Sequence, residues 1–272
     1  MAKNPSQFQA RPLEGVPLEA ELVAMREILQ TAEAWATLAD GGDKAQFVTA
    51  LPDLARCWRR ADGVPAVALQ PAVGTDDLSR ELGNALVAAL AAEPGEVGEP
   101  VPLGADGPRL QELLDPAGET DFQLRDSLAF WADLDPEDDA LKEAAKESEG
   151  KAEPVGLVPG QRGAYWTRLG EREYLRWSLG LEEDTLMDAL ARLQAQRDAG
   201  VMPGARYAGA FRALGLVIPV WSLPAGTQAA DLAEPAAAFK ERLDQALADP
   251  APLDAAQRRS RAGLVARMLS LR

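Results

Sequence analysis

Apolar positions along the chain recur at two different spacings, which predicts a protein that mixes helices and strands. Residues 18–30 place leucine and methionine three or four positions apart, as a helix with one buried face does. The same spacing predicts helices at residues 75–94, 182–200 and 231–250. Thr75 is a candidate cap for the second of these helices, because its side chain can accept a hydrogen bond from the first turn.

Segments rich in aromatic and β-branched residues predict the strands. Residues 33–52 form a hairpin candidate that turns at DGGD, and residues 164–180 form another that turns at GERE. We interpret residues 53–63 as a short helix and residues 64–70 as a strand. Two further strands are expected on either side of Gly215.

Two stretches with the same order of features indicate that the chain repeats itself. Residues 59–71 read RRADGVPAVALQP and residues 212–224 read RALGLVIPVWSLP. Around them, a hairpin, a helix, a strand, a proline-containing connection and a helix occur twice. The fold class expected is therefore α+β, with two similar halves from an internal duplication joined by an acidic insertion. Proline lacks an N–H, so Pro65 and Pro219 are expected at sheet edges or strand starts.

The predicted organisation has five parts. These are an N-terminal extension (1–17), a first α+β half (18–94), an acidic connecting segment (95–160), a second α+β half (161–250) and an Arg-rich C-terminal arm (251–272).

Composition removes several kinds of chemistry. The 272 residues include no histidine and one cysteine, so histidine-activated nucleophiles and the usual zinc ligand sets have no residues to build them. No cofactor fingerprint is present. We therefore expect no cofactor, metal or catalytic residues. Cys57 is interpreted as a buried structural thiol. The acidic run at 135–149 lacks the glycine and ligand spacing of a calcium loop and is interpreted as a solvated helix.

Charge is distributed unevenly. The net charge is −15, and residues 93–154 hold 18 acidic and 5 basic side chains, whereas residues 258–272 hold 5 arginines and no acid. The acidic body opposes nucleic-acid binding. The arm is a candidate docking segment for an anionic partner; alternatively, its arginines pair with the protein's own acidic surface. Its candidate partner-binding residues are Arg258, Arg259, Arg261, Arg267 and Arg272.

Aromatic residues of the second half provide the other candidate site. They either form its core or line a cleft between the halves, where a two-lobed protein often binds ligands. Trp166 and Trp177 are expected to be cross-strand neighbours. The candidate cleft residues are Tyr165, Trp166, Trp177 and Trp221.

The function favoured by these observations is a non-enzymatic binding or adaptor protein that acts through protein contacts, with an unknown protein partner or a second copy of itself. The first alternative is an enzyme or small-molecule binder with a cleft between the halves. The second is an RNA- or ribosome-associated factor. No apolar run approaches the roughly 20 residues that cross a bilayer, and the first residues lack the apolar stretch of a signal peptide. The expected location is the cytoplasm, without membrane partners.

Three stretches resemble an actinobacterial family of proteins of unknown function. They are residues 10–34 with 51–70, residues 164–193, and residues 206–224 continuing to 258–272. The resemblance covers nearly the whole chain and implies a cytosolic location. It implies no activity and assigns no functional residue.

Overall fold

The computed structural model describes residues 8–69 and 75–270, with the backbone alone for Leu269 and Ser270. The chain divides into two compact units, Met1–Ala152 and Glu153–Arg272. Both combine a β-sheet with helices, so the α+β class is confirmed.

The first unit is built on a five-stranded sheet. Its strands are β1 (Ala32–Thr37), β2 (Lys44–Val48), β3 (Cys57–Arg59), β4 (Pro65–Ala68) and β5 (Thr120–Leu124). Its helices are α1 (Glu19–Glu27), α2 (Leu78–Ala91), α3 (Leu110–Leu113) and α4 (Asp139–Glu147), with 3₁₀ turns at Pro52–Leu54 and Ala129–Asp133. The strand order is β3-β4-β2-β1-β5, and only β2 and β4 run parallel.

Alternation along β1 shows how the sequence builds this sheet. Ala32, Ala34 and Ala36 are buried on one side, while Glu33 and Trp35 occupy the other. Helix α2 packs beside β3 and β4. It begins two residues later than predicted: its cap is Asp77, whose carboxylate accepts from the Arg80 backbone N–H, so the Thr75 prediction is wrong.

The helix predicted at residues 53–63 is also wrong. After the 3₁₀ turn at Pro52–Leu54, β3 pairs antiparallel with β4, and the sequence between them turns at Gly63, which has a φ of 87°. The local sequence was interpreted as a helix, but pairing of β3 with β4 supplies the backbone hydrogen bonds instead. Strand β4 starts at Pro65, as predicted, and residue 70 lies outside the described residues.

The acidic segment is part of the first unit up to Ala152 rather than a separate connection. Strand β5 pairs with β1 along its full length. Phe130, Leu134 and Leu141 then pack with Val48 and Ala66 in a small second core. Most acidic side chains of this segment are therefore exposed on the surface of a folded part of the first unit.

The second unit has a six-stranded sheet and three helices. Its strands are β6 (Val155–Leu157), β7 (Ala164–Leu169), β8 (Arg172–Trp177), β9 (Arg206–Ala213), β10 (Leu216–Ser222) and β11 (Met268–Ser270). Its helices are α5 (Glu183–Ala195), α6 (Ala233–Ala248) and α7 (Ala255–Val265), with a 3₁₀ turn at Ala229–Leu232. The order is β11-β9-β10-β8-β7-β6, and only β11 pairs in parallel, with β9.

Aromatic rings fill the core of this unit. Trp221 lies 5.1 Å from Phe239 and 6.0 Å from Tyr207 between ring centroids, both edge to face, the geometry such rings prefer. The indole N–H of Trp221 donates to the carbonyl of Ala199 at 2.7 Å, which satisfies a polar group that the core would otherwise leave unpaired.

The two sheets resemble each other in strand order but differ in strand direction. The order β5-β1-β2-β4-β3 matches β6-β7-β8-β10-β9. However, β2 and β4 are parallel whereas β8 and β10 are antiparallel, and α5 has no counterpart between the hairpins of the first unit. The internal duplication is therefore not confirmed.

Pro219 corrects another expectation, because it lies inside the central strand β10 rather than at an edge. It faces Ala210 of β9, and the pairing of β10 with β8 begins only at Val220, beside a bulge. The N–H that proline lacks is therefore at a position where β10 has not yet begun to pair with β8.

Candidate functional site

The Arg-rich end is folded onto the second unit. Helix α7 starts at Asp254, whose carboxylate and the Gln257 side chain form the capping box that the sequence predicts, and it packs against α5. Arg261 donates from Nε to Asp188 at 2.7 Å and also pairs with Asp184, both on α5. The alternative in which arginines pair with the protein's own acids therefore describes Arg261.

Of the other candidate arginines, two donate hydrogen bonds to backbone carbonyls and one has no partner among the described residues. Arg258 donates to the Leu253 carbonyl, and Arg267 donates to that of Tyr207 at 3.4 Å. Arg259 is exposed and has no partner within the described residues. Arg272 lies outside them.

The four candidate cleft aromatics are buried in the second unit. Trp166 faces Leu175 and Trp177 faces Ala164, so the two tryptophans are diagonal neighbours across β7 and β8, two residues away from direct opposition. Trp166 donates to the Thr227 carbonyl, and Trp177 to that of Arg162. A cleft between the halves stays a prediction.

An apolar groove in the first unit was not expected from the sequence. It has a volume of about 290 Å³, and we call it the Leu54 groove. Its lining residues are Asp53, Leu54, Ala55, Arg56, Cys57, Ala85, Val97, Gly98, Glu99, Pro100 and Val101. They come from the turn before β3, from β3, from α2 and from the connection after α2.

The backbone at the mouth of the groove is strained. Asp53 and Leu54 have φ values of 52° and 59°, so two consecutive residues other than glycine adopt the left-handed conformation. This conformation costs about 1–2 kcal/mol per residue for a side chain such as leucine. The Leu54 side chain is 79% exposed, so burial does not offset that cost. Val97, which also lines the groove, is 47% exposed.

The floor of the groove is closely packed. Gly98 donates to the Cys57 carbonyl at 3.3 Å, and a Cβ at Gly98 would lie 2.5 Å from Cys57 Sγ. Burial raises the pKa of the Cys57 thiol, outweighing the Gly98 backbone and the Arg56 charge, which both lower it. Cys57 is therefore held as a protonated, buried thiol, as the sequence suggested.

One buried ion pair fixes the wall of the groove. Arg56 Nη2 donates to Glu81 at 2.8 Å, and Arg56 Nη1 donates to the Val101 carbonyl at 2.9 Å. The Glu81 side chain is only 3% exposed and also accepts from the Gly104 backbone N–H at 2.7 Å. These bonds tie the connection after α2 to the helix and neutralise the one cation of the lining.

The remaining charges of the lining are acidic. Asp53 and Glu99 are exposed and form no ion pair within the part of the chain that the structure describes. An apolar groove with an acidic rim can accept apolar side chains that have positive charge beside them.

A wider groove in the second unit differs from the Leu54 groove in the pairing of its charges and in the exposure of its apolar side chains. Its volume is about 670 Å³, and Met202 and Pro235 line it together with Arg197, Asp198 and Arg242. Arg242 is held by Asp198 at 3.1 Å and by the Gly200 carbonyl at 3.1 Å. Two of its four charged lining residues, Arg242 and Asp198, pair with each other, and none of the described lining residues is a large exposed apolar side chain.

Two kinds of site are absent from the described residues. Across residues 8–69 and 75–270, no group of three or more Cys, Asp or Glu side chains is placed to hold a metal ion. Within the same ranges, each helix is too short or too polar to cross a membrane.

A comparison with models of protein families bears on the whole chain. One model matches residues 12–272. The chain belongs to that family, DUF5926, a family of unknown function. The match confirms the resemblance to a family of unknown function. No curated protein and no solved structure gives a match to the chain. The Leu54 groove and the C-terminal arginines both lie inside the part that matches DUF5926.

Sequence reasoning missed the groove because its walls are far apart in the chain. Trp58 forms an isolated bridge with Val97, and Arg56 reaches Glu81. Leu54, Cys57 and Trp58 have helical spacing, so nothing local in the sequence indicated the left-handed backbone at Leu54.

Proposed function

We propose that this protein is a non-enzymatic binding or adaptor protein, and that its Leu54 groove holds an apolar segment of a protein partner. The observation that carries the proposal is the exposed Leu54 on a strained backbone at the mouth of an apolar groove.

Backbone strain of this kind clusters at ligand-binding and switch sites, so an observed outlier supports a hypothesis of function. Leucine gains no packing at position 54 that repays the left-handed conformation, because most of its side chain is in water. In contact with a partner, the same side chain would be buried beside Val97. Exposed apolar side chains around a groove are typical of protein interaction surfaces.

The size and lining of the groove also support a side-chain ligand. Pockets for cofactors and drug-sized molecules range over about 300–1,000 Å³, and the Leu54 groove lies at the lower limit. Its one thiol is kept protonated by burial, which makes it a poor nucleophile. A few apolar side chains of a partner fit this space better than a large cofactor does.

The proposal includes a cytoplasmic location, supported by the single buried cysteine, which cannot form a disulfide within the chain. The partner is a different protein or a second copy of this chain. Light scattering of the purified protein across concentrations distinguishes the two.

The test uses peptides selected from a random library on the full chain, followed by affinity measurements with variants. Leu54→Asp is expected to weaken binding of groove-directed peptides about thirtyfold or more, the loss typical of a central contact residue. Aspartate tolerates the left-handed conformation better than leucine, so the fold should persist.

The matched control is Leu90→Asp. Leu90 is 40% exposed on α2 and does not line the groove. It places the same new charge on the same unit and should leave the affinity unchanged. If both variants bind every selected peptide as the natural chain does, the groove is not a binding site.

A further inference from the structure

We infer that the partner segment in the Leu54 groove carries lysine or arginine beside its apolar anchor. This inference rests on the proposed function and adds the charge of the ligand. It comes from the balance of charges on the rim.

The only cation of the lining is not available to a ligand. Both terminal nitrogens of Arg56 are engaged, one by Glu81 and the other by the Val101 carbonyl. Because Glu81 is buried, displacing Arg56 would leave an unpaired buried carboxylate, which is strongly unfavourable. An acidic partner therefore finds no free positive group among the described residues of the lining.

The anions of the rim are available. Asp53, in the turn before β3, and Glu99, in the connection after α2, both line the groove, are exposed, and pair with no cation among the described residues. Asp53 stands on the strained turn next to Leu54, so one backbone feature presents an apolar side chain and a carboxylate together.

The segment that contributes Val97 to Val101 to the lining has the same sign. The connection from residue 93 to residue 108 contains Glu93, Glu96, Glu99 and Asp106, all exposed, and no lysine or arginine. A local field of one sign attracts oppositely charged ligands and speeds their association. It also repels phosphate backbones and anionic lipid surfaces, which leaves a basic, apolar protein segment as the fitting ligand.

The test is selection of peptides from a random library on the full chain, followed by binding measurements with charge variants. Selected peptides that depend on Leu54 are expected to combine an aliphatic or aromatic residue with lysine or arginine. The double variant Asp53→Asn, Glu99→Gln should weaken their binding about three- to tenfold, as loss of two exposed charge contacts does. Added salt should reduce this difference.

The control variant is Asp40→Asn, Asp43→Asn. These two exposed acids lie in the turn between β1 and β2 and do not line the groove. Since this variant removes the same charge from the same unit, equal losses in both double variants would mean that general charge attraction, not the rim, selects the ligand, and would overturn the inference.

Two further results separate this inference from the function on which it rests. Peptides that depend on Leu54 but are neutral or acidic would overturn the basic-ligand inference and leave the groove as a binding site. Failure to obtain any peptide that depends on Leu54 would overturn both.

Discussion

The two charged regions of this protein differ in how much of their charge is free: among the described residues, Arg259 is the one C-terminal arginine without a partner, whereas both acids on the rim of the Leu54 groove are unpaired. The C-terminal end is densely basic in sequence, yet Arg261 is paired with Asp184 and Asp188, and Arg258 and Arg267 bond to backbone carbonyls. The rim of the Leu54 groove has few charges, but Asp53 and Glu99 are unpaired among the described residues. Charge density along a sequence therefore does not indicate which charges a partner can use.

The same two regions differ in the role of glycine, and this gives the largest expected effect on stability. Gly98→Ala should lower the free energy of unfolding by about 1–3 kcal/mol, because its Cβ would lie 2.5 Å from Cys57 Sγ and 3.0 Å from the Ala88 carbonyl. A Cβ at Gly263 in α7 would have no atom within 4 Å, so Gly263→Ala should raise the free energy of unfolding by roughly 0.5–1 kcal/mol.

Urea unfolding of both glycine variants, followed by circular dichroism, measures the difference. Equal and small changes would show that the floor of the groove is not closely packed, and would weaken the contrast between the regions.

A smaller effect should come from the paired charges near the C-terminal helix. The Glu183 carboxylate accepts two hydrogen bonds from Arg212, both at 2.7 Å. These bonds hold the pKa of Glu183 below its usual value of 4.5. A carboxylate with a lowered pKa in the folded state stabilises the protein above its unfolded pKa. That stabilisation is lost as the pH falls through the folded pKa.

Glu183→Gln should therefore cost less than about 1 kcal/mol near pH 7, since the pair is partly exposed. The difference from the natural chain should shrink to near zero below the pKa of the folded state. Thermal unfolding measured from neutral to acidic pH gives both values, and a difference that does not change with pH would contradict the pairing.

Local signals in the sequence predicted the local parts of the fold. The DGGD turn predicted the β1–β2 hairpin, and Asp254 with Gln257 predicted the start of α7, because turns and caps depend on residues a few positions apart. The apolar spacing likewise predicted α5 and α6 to within a few residues.

Features that depend on distant residues were missed. Residues 53–63 carry helical spacing, but β4 is available to pair with β3. The wall of the groove depends on Arg56 meeting Glu81, and the availability of Asp53 depends on the backbone at Leu54. A single sequence shows the residue types but not these long-range contacts or the backbone conformation, so the candidate site could not be predicted.

Leu54→Gly tests the central claim most directly, because it separates stability from binding. Glycine adopts the left-handed conformation without strain and the exposed leucine contributes little packing, so the free energy of unfolding should rise by about 1 kcal/mol. The same variant should lose the binding of groove-directed peptides. Leu214→Gly, which relieves a φ of 47° in the β9–β10 turn, should leave that binding unchanged. A Leu54→Gly protein that is less stable and binds as before would contradict the claim that Leu54 is kept for a partner.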